Sequence, residues 1–138
     1  MAADAPSFAD WTSDNIKDVQ KELATKLVDG SASKVVANMG NYSFMMVLRK
    51  QTGLVEVHET QTDIMFVKSG EAILATGGKV VNGKTTGPHE IRGSAMDGGS
   101  EHPIKAGDVI TIPAGMSHLV KVAPGKEVFY VTVKVTVP

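Results

Sequence analysis

Four residues in two short stretches carry side chains suited to binding a metal. In VEVHETQTDIMFVKSG, residues 55–70, Glu56 and His58 stand two apart among valines, and Asp63 leads a run of isoleucine, methionine and phenylalanine. In GDVITIPAGMSHLVKV, residues 107–122, His118 opens an apolar alternation behind a Pro-x-Gly corner. Strand side chains alternate faces, so Glu56 and His58 point the same way. With Lys68 and Lys121 marking outer faces, Asp63 joins Met65 and Val67 on an inner face, and His118 joins Val120 and Val122 on another. Two buried carboxylates cost several kcal/mol each, on the order given by transfer data, unless a cation compensates them. A divalent metal is such a cation. Two imidazoles and two carboxylates form a mixed N/O donor set that Mn, Fe(II), Ni or Zn accepts, with positions left for water or substrate. Taken alone, Glu56 and His58 also suit a solvent-facing strand edge, and His118 a core histidine bonded to backbone groups. Their joint occurrence favours ligands.

The elements that must position these side chains are mostly strands. Thr12 or Ser13 can cap one helix, about 13–29, that carries Ile16, Val19, Leu23 and Leu27 on a stripe, with Gly30 placed to end it. From YSFMMVLRK onward the pattern becomes short β-rich runs, closing with KEVFYVTVKVTV. In that last run Phe129, Val131, Val133 and Val135 share one face, and Tyr130, Thr132, Lys134 and Thr136 the other. Many short strands separated by Gly and Pro predict an antiparallel sandwich or barrel. We divide the chain into an N-terminal extension, 1–41, and a barrel, 42–138. Residues 77–103, rich in Gly and polar side chains, read as a long flap that holds a hairpin or acts as a lid. Within it, Glu90 and Arg92 are expected to pair locally.

Composition excludes several partners. The chain has 138 residues, is 42% hydrophobic and carries a formal net charge of −1, with its Lys and Arg scattered. This suits one domain with a core and argues against nucleic acid or an anionic membrane as partner. It contains no cysteine, so thiol chemistry, disulfides and Cys-type metal sites are excluded and His, Asp and Glu remain as ligands. No apolar run reaches the length of a membrane span. The small residues after Met1 suit either a cytoplasmic protein or a mature exported, periplasmic one that has lost its signal peptide.

One tempting pattern fails a physical test. GKVVNGKT, residues 78–85, matches G-x-x-x-x-G-K-[ST] letter for letter. A phosphate loop must open a helix, and Gly87 with Pro88 stops one at once. We expect an exposed turn with Asn82-Gly83 at its tip.

The two ligand-bearing stretches resemble the cupin motifs. Glu56-x-His58-x4-Asp63-x6-Gly70 is similar to the first, H-x-H-x(3,4)-E-x6-G, and Gly107-x5-Pro113-x-Gly115-x2-His118 to the second, G-x5-P-x-G-x2-H. The resemblance covers most of residues 42–136. It implies an all-β fold, a double-stranded β-helix or jelly-roll barrel with one N-terminal α-helix outside it, and a metal inside one end. By position Glu56 stands for the first His, His58 for the second and Asp63 for the Glu, while His118 matches its counterpart. Lys50 and Val122 replace a Gly and an Asn usual in the family, and neither change touches the metal. Met46, Met65 and Val120 are expected in the pocket wall. His102, beside the flap, reads as a surface histidine or, reaching the barrel mouth, as the one nameable acid or base in the pocket; catalytic residues are otherwise unassigned.

Three functions fit: a dioxygenase-type oxidoreductase on a small organic molecule, a metal-dependent isomerase or lyase, and a small-molecule binding module without turnover. The resemblance also implies a homodimer.

Overall fold

The computed structural model of the protein describes residues 7–138. Helix α1 (Ser13–Ala24) starts at Thr12, whose hydroxyl accepts the Asn15 N–H while Asn15 Oδ1 accepts the Thr12 N–H, a reciprocal cap. It is shorter than the expected 13–29. The Thr25 hydroxyl donates to the Glu22 carbonyl at 2.7 Å and closes the last turn there. Gly30, at φ 77°, instead turns the chain between Val28 and Ser31, which bridge each other. Among the described residues no helix is long and apolar enough to cross a membrane.

Twelve strands follow: β1 (Ser31–Asn38), β2 (Tyr42–Arg49), β3 (Val55–His58), β4 (Gln61–Thr76), β5 (Lys79–Val81), β6 (Lys84–Gly87), β7 (Glu90–Gly93), β8 (Ala95–Asp97), β9 (Ser100–Lys105), β10 (Val109–Ile112), β11 (His118–Lys121) and β12 (Val128–Thr136). All pairings are antiparallel. The main sheet runs β1-β2-β12-β4-β11-β3-β7-β6, with β9 and β10 also on β4, and curls into a half-barrel. This is the expected all-β barrel with one N-terminal helix. β1 pairs with β2 from Ser31↔Arg49 to Asn38↔Ser43, so part of the segment assigned to the extension is sheet. A boundary after residue 41 cuts a hairpin. Its polar sequence, SASKVVAN, hides a strand that takes its ladder from β2.

The curl is made by β4. Its first half pairs with β12 and β10, and its second with β9 and β11. Between them Gly70 adopts φ 77°, and a Cβ there would lie 1.9 Å from the Glu127 carbonyl oxygen, so only glycine fits. The first-motif glycine is thus the bend.

Strand parity sorts most of the core into two layers, with a small third cluster of Val55, Ala75 and Leu119. Val47, Met65, Leu74, Val120, Val128 and Tyr130 fill the barrel. Met46, Leu48, Phe129 and Val131 pack on the outer face of the sheet against Leu23 of α1, with Trp11 and Phe44 beside them. Met46 therefore does not line the pocket. It is 1% exposed in the outer layer, because its neighbours Met45 and Val47 take the inner face.

The flap is built rather than loose. β6 and β7 form a hairpin, β5 pairs with β8, and β7 is zipped to β3 with Glu56 opposite Arg92 and His58 opposite Glu90. The GKVVNGKT stretch is two short strands joined at Asn82, φ 54°, with no helix after Thr85.

Candidate metal centre

Each donor is placed by local backbone logic. Glu56 and His58 lie two apart on β3, and β3 meets β11 at the pair Glu56↔His118. β11 is delivered by the Pro113–Gly115 corner, where Gly115 takes φ 84° and its N–H bonds the His58 carbonyl at 2.9 Å. The two motifs are thus tied to each other by a backbone bond. Asp63 enters from β4, between Ile112 of β10 and Lys134 of β12.

The donor atoms converge. His58 Nε2 lies 3.3 Å from Glu56 Oε2 and 3.4 Å from Asp63 Oδ2; His118 Nε2 lies 3.4 Å and 3.6 Å from the same two oxygens. Ligands about 2.0–2.2 Å from a tetrahedral metal sit roughly 3.4 Å apart, which these His–carboxylate spacings match, although Asp63 does not join the tightest group. Ligand atoms of Glu56, His58 and His118 all fall within 4.8 Å of one another. His58, Asp63 and His118 are buried, and Glu56 is partly open to the cavity.

A second layer engages the far side of every donor. Glu90 Oε2 takes His58 Nδ1 at 2.5 Å, and the Met116 carbonyl takes His118 Nδ1 at 3.2 Å, which turns both Nε2 lone pairs to the centre. Arg49 Nη2 donates to Glu56 Oε1 at 3.2 Å, and Lys134 Nζ to Asp63 Oδ1 at 2.9 Å. Each carboxylate therefore keeps one oxygen for the centre and gives the other to a fixed cation. Tyr130 OH accepts from Arg49 Nε at 3.1 Å, and Arg92 Nε stands 3.8 Å from Glu56 Oε1.

The electrostatics describe buried carboxylates held ionised by internal cations. Burial works against a charged His58, but hydrogen bonds to Asp63 and Glu56 outweigh it and raise the pKa of the imidazole to about 9. Burial likewise opposes ionisation of Glu56, yet His118, His58 and Arg49 keep it well below the usual carboxylate range. Asp63, against the same burial cost, is lowered by His58 and Lys134. A proton on His58 and the Lys134 ammonium, 3.2 Å from His58 Nε2, thus supply cationic charge where the donors converge. The donor set fits a divalent transition metal.

The donors open on a cavity of about 470 Å³ whose wall includes Met45, Met65, Val47, Val120, Tyr130 and Thr132. Met65 and Val120 stand in this wall. His102 lies elsewhere: it is exposed on β9, its Nε2 3.4 Å from Thr76 Oγ1, and lines a separate groove with Leu74, Ile104 and Ile112. Alternation puts His102 on the same face of β9 as buried Ile104, opposite Leu74, but only the Ile104 end of the strand is covered and His102 stays exposed. Arg49, Lys134 and Thr132 were not singled out from the sequence. The alternation of β12 put Thr132 and Lys134 on Tyr130's face, which is the available signal. Glu90 and Arg92, expected to pair with each other, are 3.9 Å apart, and Glu90 is engaged more closely by His58.

No family model matches the sequence, and no curated protein does. Solved structures do. The TT1209 protein from Thermus thermophilus superposes with a TM-score of 0.60 at 18% identity, over 86% of this chain and 95% of that one. A recombinant oxalate oxidase in complex with glycolate gives 0.57 at 21%, over 81% of this chain and 54% of the oxidase. A sugar phosphate isomerase from a cupin superfamily, from Silicibacter pomeroyi, gives 0.56 at 19%, over 80% and 62%. The chain spans less than two thirds of the oxidase and of the isomerase. Its structural neighbours are cupin-superfamily proteins, and the chain has the cupin fold. At these identities the likeness carries the fold; the chemistry must come from the site.

Proposed function

We propose that this protein is a metal-dependent cupin enzyme, a dioxygenase-type oxidoreductase acting on a small organic molecule. Glu56, His58, Asp63 and His118 hold its metal, one of Mn, Fe, Ni or Zn. The observation that carries this reading is the convergence of Glu56, His58 and His118, whose ligand atoms lie within 4.8 Å of one another, with Asp63 Oδ2 3.4 Å and 3.6 Å from the two imidazoles and a partner behind each of the four side chains. A metal in this set supplies redox or Lewis-acid chemistry at the positions the protein leaves open.

The chain's own residues do the rest. Glu90 fixes the His58 tautomer and raises the basicity of Nε2. Arg49, braced by Tyr130, fixes Glu56. Met45, Met65, Val47 and Val120 keep the cavity wall apolar, which strengthens the electrostatics inside it. The test is anaerobic reconstitution with Fe(II), then oxygen consumption against a panel of small acids and phenols. Substrate-dependent uptake lost in His118→Ala supports the reading. Fe(II) binding with no uptake across the panel argues for a different reaction.

A second reading, a binding module without turnover, is favoured by one observation. Arg49 and Lys134 already neutralise Glu56 and Asp63 without any metal. We also propose that two copies pair, since β1 ends the main sheet with no strand beyond it among the described residues.

A further inference from the structure

We propose that the ligand of the loaded cavity is a small organic carboxylate, held by the Lys134 ammonium and the Thr132 hydroxyl. This rests on the metal reading above and adds the class of molecule the site takes.

The first observation is the charge lining the cavity. Around the centre Arg49, Arg92 and Lys134 stand against Glu56, Asp63 and Glu90, which balance; Lys26 lies at the rim. With both imidazoles neutral, a divalent metal then brings two positive charges that nothing in the wall offsets. Uncompensated charge in a partly closed, apolar-walled cavity is unfavourable, so the loaded site favours an anion. A neutral ligand leaves the imbalance in place.

The second observation is where the anion's partners stand. Lys134 contacts Asp63 through Oδ1 and also reaches His58 Nε2 at 3.2 Å. Its hydrogen bond to Asp63 uses one of the three N–H groups of the ammonium, so donors remain beside the centre for a ligand.

The third observation is Thr132. It is 3% exposed, its hydroxyl has no hydrogen-bond partner, and it lines the cavity two residues along β12 from Lys134 on the same face. Its cross-strand neighbours are Met45 and Met65, which offer it nothing polar. A buried hydroxyl without a partner costs free energy that a bound oxygen recovers. Lys134 and Thr132 thus give an acid two points of attachment beside the metal, in a wall otherwise of methionine and valine.

The experiment is calorimetric titration of zinc-loaded protein, its zinc content measured first, with glycolate, pyruvate and malonate, and with uncharged glycolamide as control. At least one acid is expected to bind about tenfold or more tightly than glycolamide, the effect of a charge-assisted hydrogen bond. Lys134→Met should weaken that acid about tenfold, Lys134→Arg less, and Thr132→Val severalfold, each measured on protein loaded to the same zinc content as wild type. One zinc bound with no acid preferred over glycolamide overturns this proposal and leaves the metal reading standing. So does a Lys134→Met protein that binds the acid as wild type does. A wild type that takes up no zinc overturns the metal reading, and this proposal with it.

Discussion

The ammonium of Lys134 sits 2.9 Å from Oδ1 of Asp63, while the other oxygen of that carboxylate, Oδ2, faces His118 Nε2 at 3.6 Å. Asp63 is therefore shared between an internal cation and the converging donors. Both side chains are nearly buried, at 13% and 6% exposure. Removing one partner of such a pair costs about 3–5 kcal/mol, because the other charge stays buried alone. Lys134→Met should lower the melting temperature of metal-free protein, and saturating zinc should restore more stability to the variant than to wild type. Thermal melts with and without zinc check this, and equal shifts in both proteins contradict it.

Glu90 touches no donor atom that faces the centre. Its role is to hold His58 Nδ1, so Glu90→Gln should weaken zinc about 10–100-fold while leaving the fold intact. Competition with a chromophoric chelator measures it. An unchanged affinity would remove Glu90 from the site.

The pH response follows from His58. Its folded value of about 9 stands above the ordinary 6.5, so in metal-free protein its contribution to stability is present in full below pH 6.5 and fades as pH rises through 9. Metal needs the Nε2 lone pair, so zinc uptake between these limits should release a proton and strengthen with rising pH. Calorimetry in buffers of different ionisation enthalpy counts that proton. Uptake that is independent of pH across this window would show that His58 is not a ligand.

The outer layer should be separable from the site. Leu48, 0% exposed beneath α1, packs with Leu23 of that helix, Met46 and Phe129 on the face of the sheet away from the donors. Leu48→Ala should cost about 2–5 kcal/mol in denaturant unfolding with no change in zinc content. Loss of zinc along with stability would show that the outer layer shapes the donors.

Light scattering on a sizing column tests the pairing of two copies. A dimer at micromolar concentration is expected, and a monomer at every concentration contradicts it.

The sequence was most informative where backbone geometry left few choices. Glu56 and His58 share a face because strands alternate, and Gly70 and Gly115 are required by positive φ angles at a bend and a corner. Partner-dependent features were less visible. Parity told that Met45 and Met46 face opposite ways, but which face is the cavity is decided by α1 packing on Met46. A lysine on a strand marks the solvent side for Lys68 and Lys121, which is why both motifs could be oriented. The same rule misleads at Lys134, because Asp63, 71 residues away in the chain, draws its ammonium inside. β1 and the flap strands have little periodicity of their own and take their form from β2, β3 and one another.

Elemental analysis of the purified protein, with and without incubation in Mn, Fe(II), Ni or Zn and compared with His58→Ala and His118→Ala, tests the central claim most directly. The account predicts about one equivalent of one of these metals in wild type and its loss in both variants, as expected when a site loses one of its few ligands. Wild-type protein that neither carries nor takes up any of them would contradict it, and would leave Lys134 and the His58 proton as the charges that Glu56 and Asp63 are built to hold.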